Sequence, residues 1–221
     1  MTAKSDIEAA FEQVASERER PRIWWCVTGE LTFLPIHAAG IYGGEGQDLT
    51  CASAYMVSSY VPTLAALTKA RNKWGRLPCT DVSGLLFCEP LTGPNRLYNV
   101  DVEVRTVRAC FEAASARVAN PPSLHTAMAD VQLYLSRGDS HILHLACHGD
   151  QARQPLESAF LLQDGNLSIA DIMKMNLPHA VLAFLSACWT AKGNEDAPDQ
   201  AVHLAASMLF CGFRSVVATM W

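Results

Sequence analysis

Residues 141–147 read HILHLAC and residues 180–186 read AVLAFLS, and these two apolar runs decide the class of fold. Each run is short, almost continuously apolar and bounded by polar residues, as is typical of a strand buried on both faces of a parallel sheet. Residues 84–88 (GLLFC) and 215–220 (SVVATM) carry the same signal. Segments with helical periodicity separate these runs. The alternation predicts an α/β fold, a three-layer sandwich whose mostly parallel sheet has helices on both faces.

The other elements follow from hydrophobic periodicity, helix caps and turn-forming residues. Apolar positions three and four residues apart predict helices, which we place at residues 62–70, 99–119, 124–138, 168–175 and 199–211. Extended segments are predicted at residues 23–28, 30–34, 55–60 and 159–163. The polar residues that follow the strands at 141–147 and 180–186 predict irregular loops.

Composition limits the partners that the chain is expected to have. Half of the residues are hydrophobic and 18% are charged, which excludes a disordered chain. Scattered basic residues and a net charge of −5 argue against nucleic acid as a partner. No apolar run is as long as a membrane span, and residues 1–20 lack the apolar core of a signal peptide. We expect a cytoplasmic protein that binds neither membrane nor nucleic acid.

The eight cysteines do not form a recognisable metal or disulfide pattern. They are Cys26, Cys51, Cys79, Cys88, Cys110, Cys147, Cys188 and Cys211. No Cys-x-x-Cys pair occurs, so we expect reduced thiols, no metal and no cofactor. A zinc hydrolase is disfavoured for the same reason, and metal analysis would test it.

Two reactive side chains follow the two decisive strands. His148 comes directly after HILHLAC, and Cys188 comes just after AVLAFLS. Ligands of parallel α/β sheets bind beyond the carboxyl ends of the strands, so this pair is expected to face one cleft. A thiol with an ordinary pKa of about 8.5 needs a base to react at neutral pH, which indicates Cys188 as nucleophile and His148 as its base. The backbone N–H groups of Gly149 and Cys188 are candidate oxyanion donors.

These residues resemble the CHAT family of caspase-like domains, which often accompany tetratricopeptide repeats. LHLACHG around His148 and FLSAC before Cys188 carry the resemblance. Further similar segments span most of the chain, namely LPIHAAG (34–40), SSYVPTLAAL (58–67), residues 155–173 and residues 201–221. The resemblance implies a caspase–hemoglobinase-like fold and hydrolysis of peptide bonds in a protein substrate through a Cys–His dyad, in a cell-death or defence pathway.

Substrate preference is where the chain departs from the caspase signature. Ser186 stands where that signature has a glutamine, so a preference for aspartate at P1 (the substrate residue before the cleaved bond) is not implied. We expect Ser186 to line the specificity pocket. Asp150, with Glu157 and Asp164 in nearby loops, would favour a basic P1 residue. His144 is expected to be structural, and Cys147 to be buried and inert.

The predicted domains are an amphipathic helix and linker at residues 1–22 and a CHAT domain at residues 23–221. Because the family's sequence continues past the strand at 215–220, we expect this domain to be incomplete at its C-terminus, prone to self-association, and weakly active or inactive by itself. The competing hypothesis is a catalytically silent caspase-like interaction module. In that case the amphipathic helix at 5–20 would dock on a helical-repeat or other regulatory partner.

Overall fold

The computed structural model describes residues 20–42, 50–72, 82–89, 96–119, 126–138, 140–150, 152, 154–175, 177–187 and 204–219. The helix expected at residues 5–20 lies almost entirely outside these ranges. The chain falls into two compact units, Met1–Val61 and Pro62–Trp221. None of the helices in the described ranges is both long enough and apolar enough to span a bilayer.

The bounds of the described elements are as follows. The strands are β1 (Arg22–Trp25), β2 (Gly40–Ile41), β3 (Thr50–Cys51), β4 (Val57–Tyr60), β5 (Ser83–Cys88), β6 (Arg117–Ala119), β7 (Ile142–Ala146), β8 (His148–Asp150), β9 (Ala159–Leu161), β10 (Asn166–Ser168), β11 (Leu182–Ser186) and β12 (Ser215–Ala218). The α-helices are α1 (Ala52–Tyr55), α2 (Leu64–Asn72), α3 (Val100–Ala113), α4 (Met128–Ser136), α5 (Ile169–Met173) and α6 (Leu204–Cys211). Short 3-10 helices occupy Gly29–Phe33, Ile36–Ala38 and Pro155–Glu157.

A five-stranded parallel sheet is the centre of the second unit, as the apolar runs predicted. Its strand order is β12-β11-β7-β5-β6, and every neighbouring pair is parallel. Strand β7 lies in the middle because the chain crosses from β6 over β5 to reach it. The four strands expected from apolar runs are all present, and β6 completes the sheet at one side.

Helices cover both faces of this sheet, which makes the sandwich three-layered. On one face α4, α5 and α6 contribute Val131, Ile172 and Met208 to the larger buried core cluster of the sheet. On the other face α3 packs Val104 and Phe111 against the sheet in a smaller cluster. The α/β class and the mostly parallel sheet expected from the sequence are confirmed.

On the α3 face of the sheet, side chains become more exposed from β5 toward β12. Leu86, His144, Phe184 and Val217 are paired in one row from β5 to β12. Their exposed fractions rise along the row, from 1% and 3% to 41% and 47%. Helix α3 therefore covers the β5 and β7 part of this face more completely than the β11 and β12 part.

The first unit contains a parallel pair, β1 with β4, and a short antiparallel pair, β2 with β3. Arg22 donates to the Ser59 hydroxyl across the parallel pair at 2.6 Å. His37 lies against Tyr60, with its backbone N–H donating to the phenol oxygen at 3.0 Å and Nδ1 at 2.9 Å from that oxygen. These contacts tie the segment around residues 36–38 to β4.

The sequence predictions for residues 30–34 and for the end of the helix at 99–119 are wrong. Residues 30–34 form part of a 3-10 helix and no strand, because Gly29 takes a left-handed φ of 59° that turns the chain away from an extended course. The helix predicted over 99–119 ends at Ala113. Ser115 takes a left-handed φ of 55°, and the chain then turns into β6, which pairs with β5.

Candidate active site at the carboxyl edge of the sheet

Three neighbouring strands of the central sheet, β5, β7 and β11, have their last residues paired with one another. In the central strand β7, Ala146 is paired with Cys88 of β5 on one side and with Ser186 of β11 on the other. The residues that follow these strands therefore leave the sheet at one edge, the carboxyl edge. His148 follows β7 there, and Ala187 follows β11.

His148 begins a strand of its own. It is paired with Leu161 of β9, while Gly149 is paired with Phe160 and Asp150 with Ala159, all antiparallel. Strand β10 completes this second sheet in the order β10-β9-β8. The irregular loop expected after HILHLAC is wrong for residues 148–150, because Phe160 is fully buried and its strand offers the chain a partner. His148 and Gly149 are half-buried, and Asp150 is exposed.

Ser186 and Ala187 end the described part of the chain on the β11 side. Ser186 is the last residue of β11 and is half-buried, while Ala187 is 6% exposed. The Thr219 hydroxyl, just past β12, donates to the Ala187 carbonyl at 2.6 Å. Cys188 lies outside the described residues, so its assignment as nucleophile stays a prediction.

Glu89 also lies at this edge, although nothing in the sequence patterns singled it out. It follows β5 directly, is 1% exposed, and donates its backbone N–H to the Ala146 carbonyl at 2.9 Å. The signal that would have found it is the one used for His148, a polar residue immediately after a buried strand. A carboxylate is thus buried next to the end of the strand that leads to His148.

The two buried thiols beside Glu89 are poor nucleophiles. Burial, and after it the Glu89 charge, raise the pKa of Cys88 to about 11. The same two causes raise the pKa of Cys147 still further, and Cys147 is 1% exposed. Cys147 is therefore buried and held in its thiol form, in line with its expected inertness.

His144 has a structural environment inside the smaller core. Its Nε2 lies 3.1 Å from a carboxylate oxygen of Glu103 on α3, and its ring stacks on Phe184 at 5.3 Å between centroids. Burial lowers the pKa of His144, and the Glu103 carboxylate opposes part of that shift. His144 shares its sheet face with Ala146, whereas His148 belongs to the second sheet.

The two loop acids named with Asp150 differ in their surroundings. Asp164 accepts a hydrogen bond from the backbone N–H of Met128 at 2.7 Å, so it caps α4. Glu157 ends the short 3-10 helix Pro155–Glu157 and is exposed. Asp164 is thus already engaged at a helix terminus. Within the described ranges, no three His, Cys, Asp or Glu side chains are grouped so as to hold a metal ion.

The mostly parallel sheet covered on both faces, with His148 at its carboxyl edge, defines an α/β protein of the caspase-like class. The CHAT domain family model matches residues 4–221, and the chain belongs to that family, which is related to caspase-like peptidases. The resemblance read from the motifs around His148 and Cys188 is confirmed at the level of the family. No curated protein sequence matches the chain. The domain boundary expected at residue 22 stays a prediction.

Proposed function

We propose that this chain is a cysteine endopeptidase in which Cys188 is the nucleophile and His148 its base. The observation that carries the proposal is the pairing of Ala146 with Ser186 at the ends of β7 and β11. His148 lies two residues beyond the first of this pair, and Cys188 lies two residues beyond the second. Consecutive Cα atoms are about 3.8 Å apart, so neither residue is more than two peptide units along the chain from that pair.

The reaction follows from a thiol and an imidazole at one edge. His148 takes the proton of the Cys188 thiol, and the thiolate attacks the carbonyl carbon of the scissile bond to give a tetrahedral oxyanion. The C–N bond then breaks, and the leaving amine takes the proton from His148. Water, deprotonated by His148, attacks the thioester, and the peptide acid leaves as the thiol is restored. Imidazole suits both steps because it exchanges protons near neutral pH.

The proposed oxyanion donors are the backbone N–H groups of Gly149 and Cys188. Gly149 stands next to the proposed base and lacks a Cβ, so a substrate carbonyl can approach its backbone closely. Its pairing with Phe160 in the β8–β9 ladder restrains the position of its backbone. A restrained N–H donor stabilises negative charge without having to reorient during the reaction.

Substrate preference is proposed to depend on Ser186 and Asp150. Ser186 ends the strand that leads to Cys188, and we propose that its small side chain leaves room beside the nucleophile. Asp150 is exposed and lies two residues beyond the proposed base, whereas Asp164 caps α4. A carboxylate at that position would favour a cationic P1 side chain over an acidic one.

The test is cleavage of a degenerate decapeptide library, with new N-termini read by mass spectrometry. The unmodified chain should cleave, and Cys188→Ala and His148→Ala should not. Cys110→Ala is the matched control, since Cys110 is an exposed cysteine on α3. Undiminished cleavage by Cys188→Ala would show that the nucleophile is another residue.

The alternative is a caspase-like interaction module without activity. The observation that favours it is the exposure of Phe184 and Val217 on one sheet face, an apolar surface of the kind that binds partners. A helical-repeat or other regulatory protein is the partner class proposed, with the helix predicted at residues 5–20 as the docking segment. Selective labelling of Cys188 by a peptidyl chloromethyl ketone is expected of the peptidase and not of the silent module.

A further inference from the structure

Thr219 directly follows the outer strand β12. Its hydroxyl donates to the carbonyl of Ala187 at 2.6 Å. The paired residues of β11 and β12 run as far as Leu185 and Ala218. The Thr219 side chain thus adds a contact between the two chain segments beyond their last paired residues. The contact is at Ala187, which lies two residues past Leu185 and immediately before Cys188 in the sequence.

The Ala187 carbonyl that accepts this hydrogen bond is part of a rigid peptide group. A trans peptide is planar, and its C=O and N–H point in opposite directions. Any restraint on a carbonyl therefore acts on the N–H of the same peptide, which for Ala187 is the N–H that Cys188 contributes. Under the proposed function that N–H is one of the two oxyanion donors.

We infer that Thr219 is a positioning residue for the oxyanion site. It acts through the Ala187–Cys188 peptide and does not touch the substrate. The inference rests on the proposed function, because it needs Cys188 to be the nucleophile. Water can also satisfy a carbonyl, but it donates from many directions, so the hydroxyl supplies orientation more than stability.

If Thr219 acts on orientation more than on stability, its substitution should slow some reactions of the site and leave others unchanged. Thr219→Val keeps the shape of the side chain and removes the donor, whereas Thr219→Ser keeps the donor. Attack on a peptide or a peptidyl aldehyde places charge on the carbonyl oxygen and so needs the oxyanion donors. Alkylation by iodoacetamide forms a C–S bond and releases iodide without any oxyanion. Loss of orientation should slow the first two reactions and leave alkylation of Cys188 unchanged.

The experiment uses a quenched-fluorescent peptide built on a sequence cleaved in the library, and the aldehyde of the same sequence. For Thr219→Val we expect kcat to fall about 10-fold with KM within about twofold, less than the ~10²–10³ loss on removing a donor itself. Inhibition by the aldehyde should weaken in parallel. Thr219→Ser should restore both values.

The matched control is Thr106→Val on α3, which removes a similar hydroxyl-to-carbonyl bond of 2.8 Å to Val102. It should match the unmodified chain in cleavage. Unchanged kcat in Thr219→Val, or a loss matched by slower iodoacetamide labelling of Cys188, would overturn the inference. Equal cleavage by the unmodified chain and Cys188→Ala would instead remove the proposed function, and the inference with it.

Discussion

Phe111 on α3 lies directly over Gly84 in β5. A Cβ added to Gly84 would stand 2.5 Å from both Cε1 and Cζ of the Phe111 ring, closer than real Cβ contacts come. The residue at position 84 therefore sets how near α3 can approach the sheet. Glycine is needed there for space, since its backbone has no left-handed φ.

Gly84→Ala is expected to lower the free energy of unfolding by about 1–3 kcal/mol, because overpacking a filled core displaces its neighbours. Urea denaturation measures the change. Phe111→Leu should relieve much of the strain, so that the double variant is less destabilised than the sum of the two single ones. Gly165→Ala is the control, since nothing lies within 4 Å of a Cβ at that position. Additive losses would show that the two residues are not in steric conflict.

The stability of the fold should depend on pH through His144. Burial lowers its pKa in the folded chain below the ordinary value of 6.5, although Glu103 opposes the shift. The unfolded chain then takes up the proton first as the pH falls below about 6.5, so acidification from there to the folded pKa destabilises the fold. Above about 6.5 the contribution is constant.

His144→Gln should flatten this dependence between pH 7.5 and 5, as measured by urea denaturation at each pH. His179→Gln serves as the control because His179 is exposed. The slope of His179→Gln should follow that of the unmodified chain. Equal slopes for all three proteins would mean that His144 does not titrate differently in the folded and unfolded states.

The proposed dyad makes a prediction about additivity. When either residue of a catalytic unit is removed, nearly all of the rate enhancement of the unit is lost. The double variant His148→Ala/Cys188→Ala should therefore be no slower than either single variant. The measurement is the turnover rate on a cleaved library peptide. His144→Gln should lower the turnover rate much less. A larger loss of rate in His144→Gln than in His148→Ala would mean that His148 is not the base.

Ser186→Gln should change the P1 preference more than it changes alkylation of Cys188 by iodoacetamide. The larger amide side chain would occupy space beside the nucleophile, whereas iodoacetamide is small enough to enter regardless. Cleavage profiles on the decapeptide library measure the preference. Ser215→Gln is the control, because Ser215 begins β12 at the opposite end of the strands. An unchanged profile for Ser186→Gln would place the pocket elsewhere.

Thiol reactivity should follow the environment of each cysteine. The Ser53 hydroxyl, 3.1 Å from the sulfur, lowers the pKa of Cys51, whereas burial raises those of Cys88 and Cys147. Iodoacetamide at pH 7.5 should therefore modify Cys51 well before the other two, as peptide mapping would measure. Ser53→Ala should slow the reaction at Cys51. Early modification of Cys147 would contradict the burial of its sulfur.

The strands of the central sheet were predictable because burial on both faces leaves a continuous apolar run. The strand starts and ends that we predicted for β5, β7, β11 and β12 fall within two residues of those observed. Strand β6 was not predictable. Its three residues continue an apolar periodicity that fits a helix, and only pairing with β5 selects the extended form.

The position of His148 at the carboxyl edge of the sheet was predictable, and its local conformation was not. His148 was singled out because it is a polar residue just after a buried strand. Glu89 carries the same signal and was not singled out. That His148 lies in a strand depends on its pairing with Leu161, a partner contributed by tertiary structure. The Thr219 contact with Ala187 likewise joins residues 32 positions apart and leaves no trace in local sequence.

The β8–β9 ladder has a consequence for the entropy of the site. A histidine in an irregular loop keeps much of its backbone freedom, which amounts to roughly 1–2 kcal/mol per residue and is lost when a ligand orders the loop. His148 is paired with Leu161, so its backbone freedom is already lost when the chain folds. Whatever His148 binds, only the rotation of its side chain remains to be restricted.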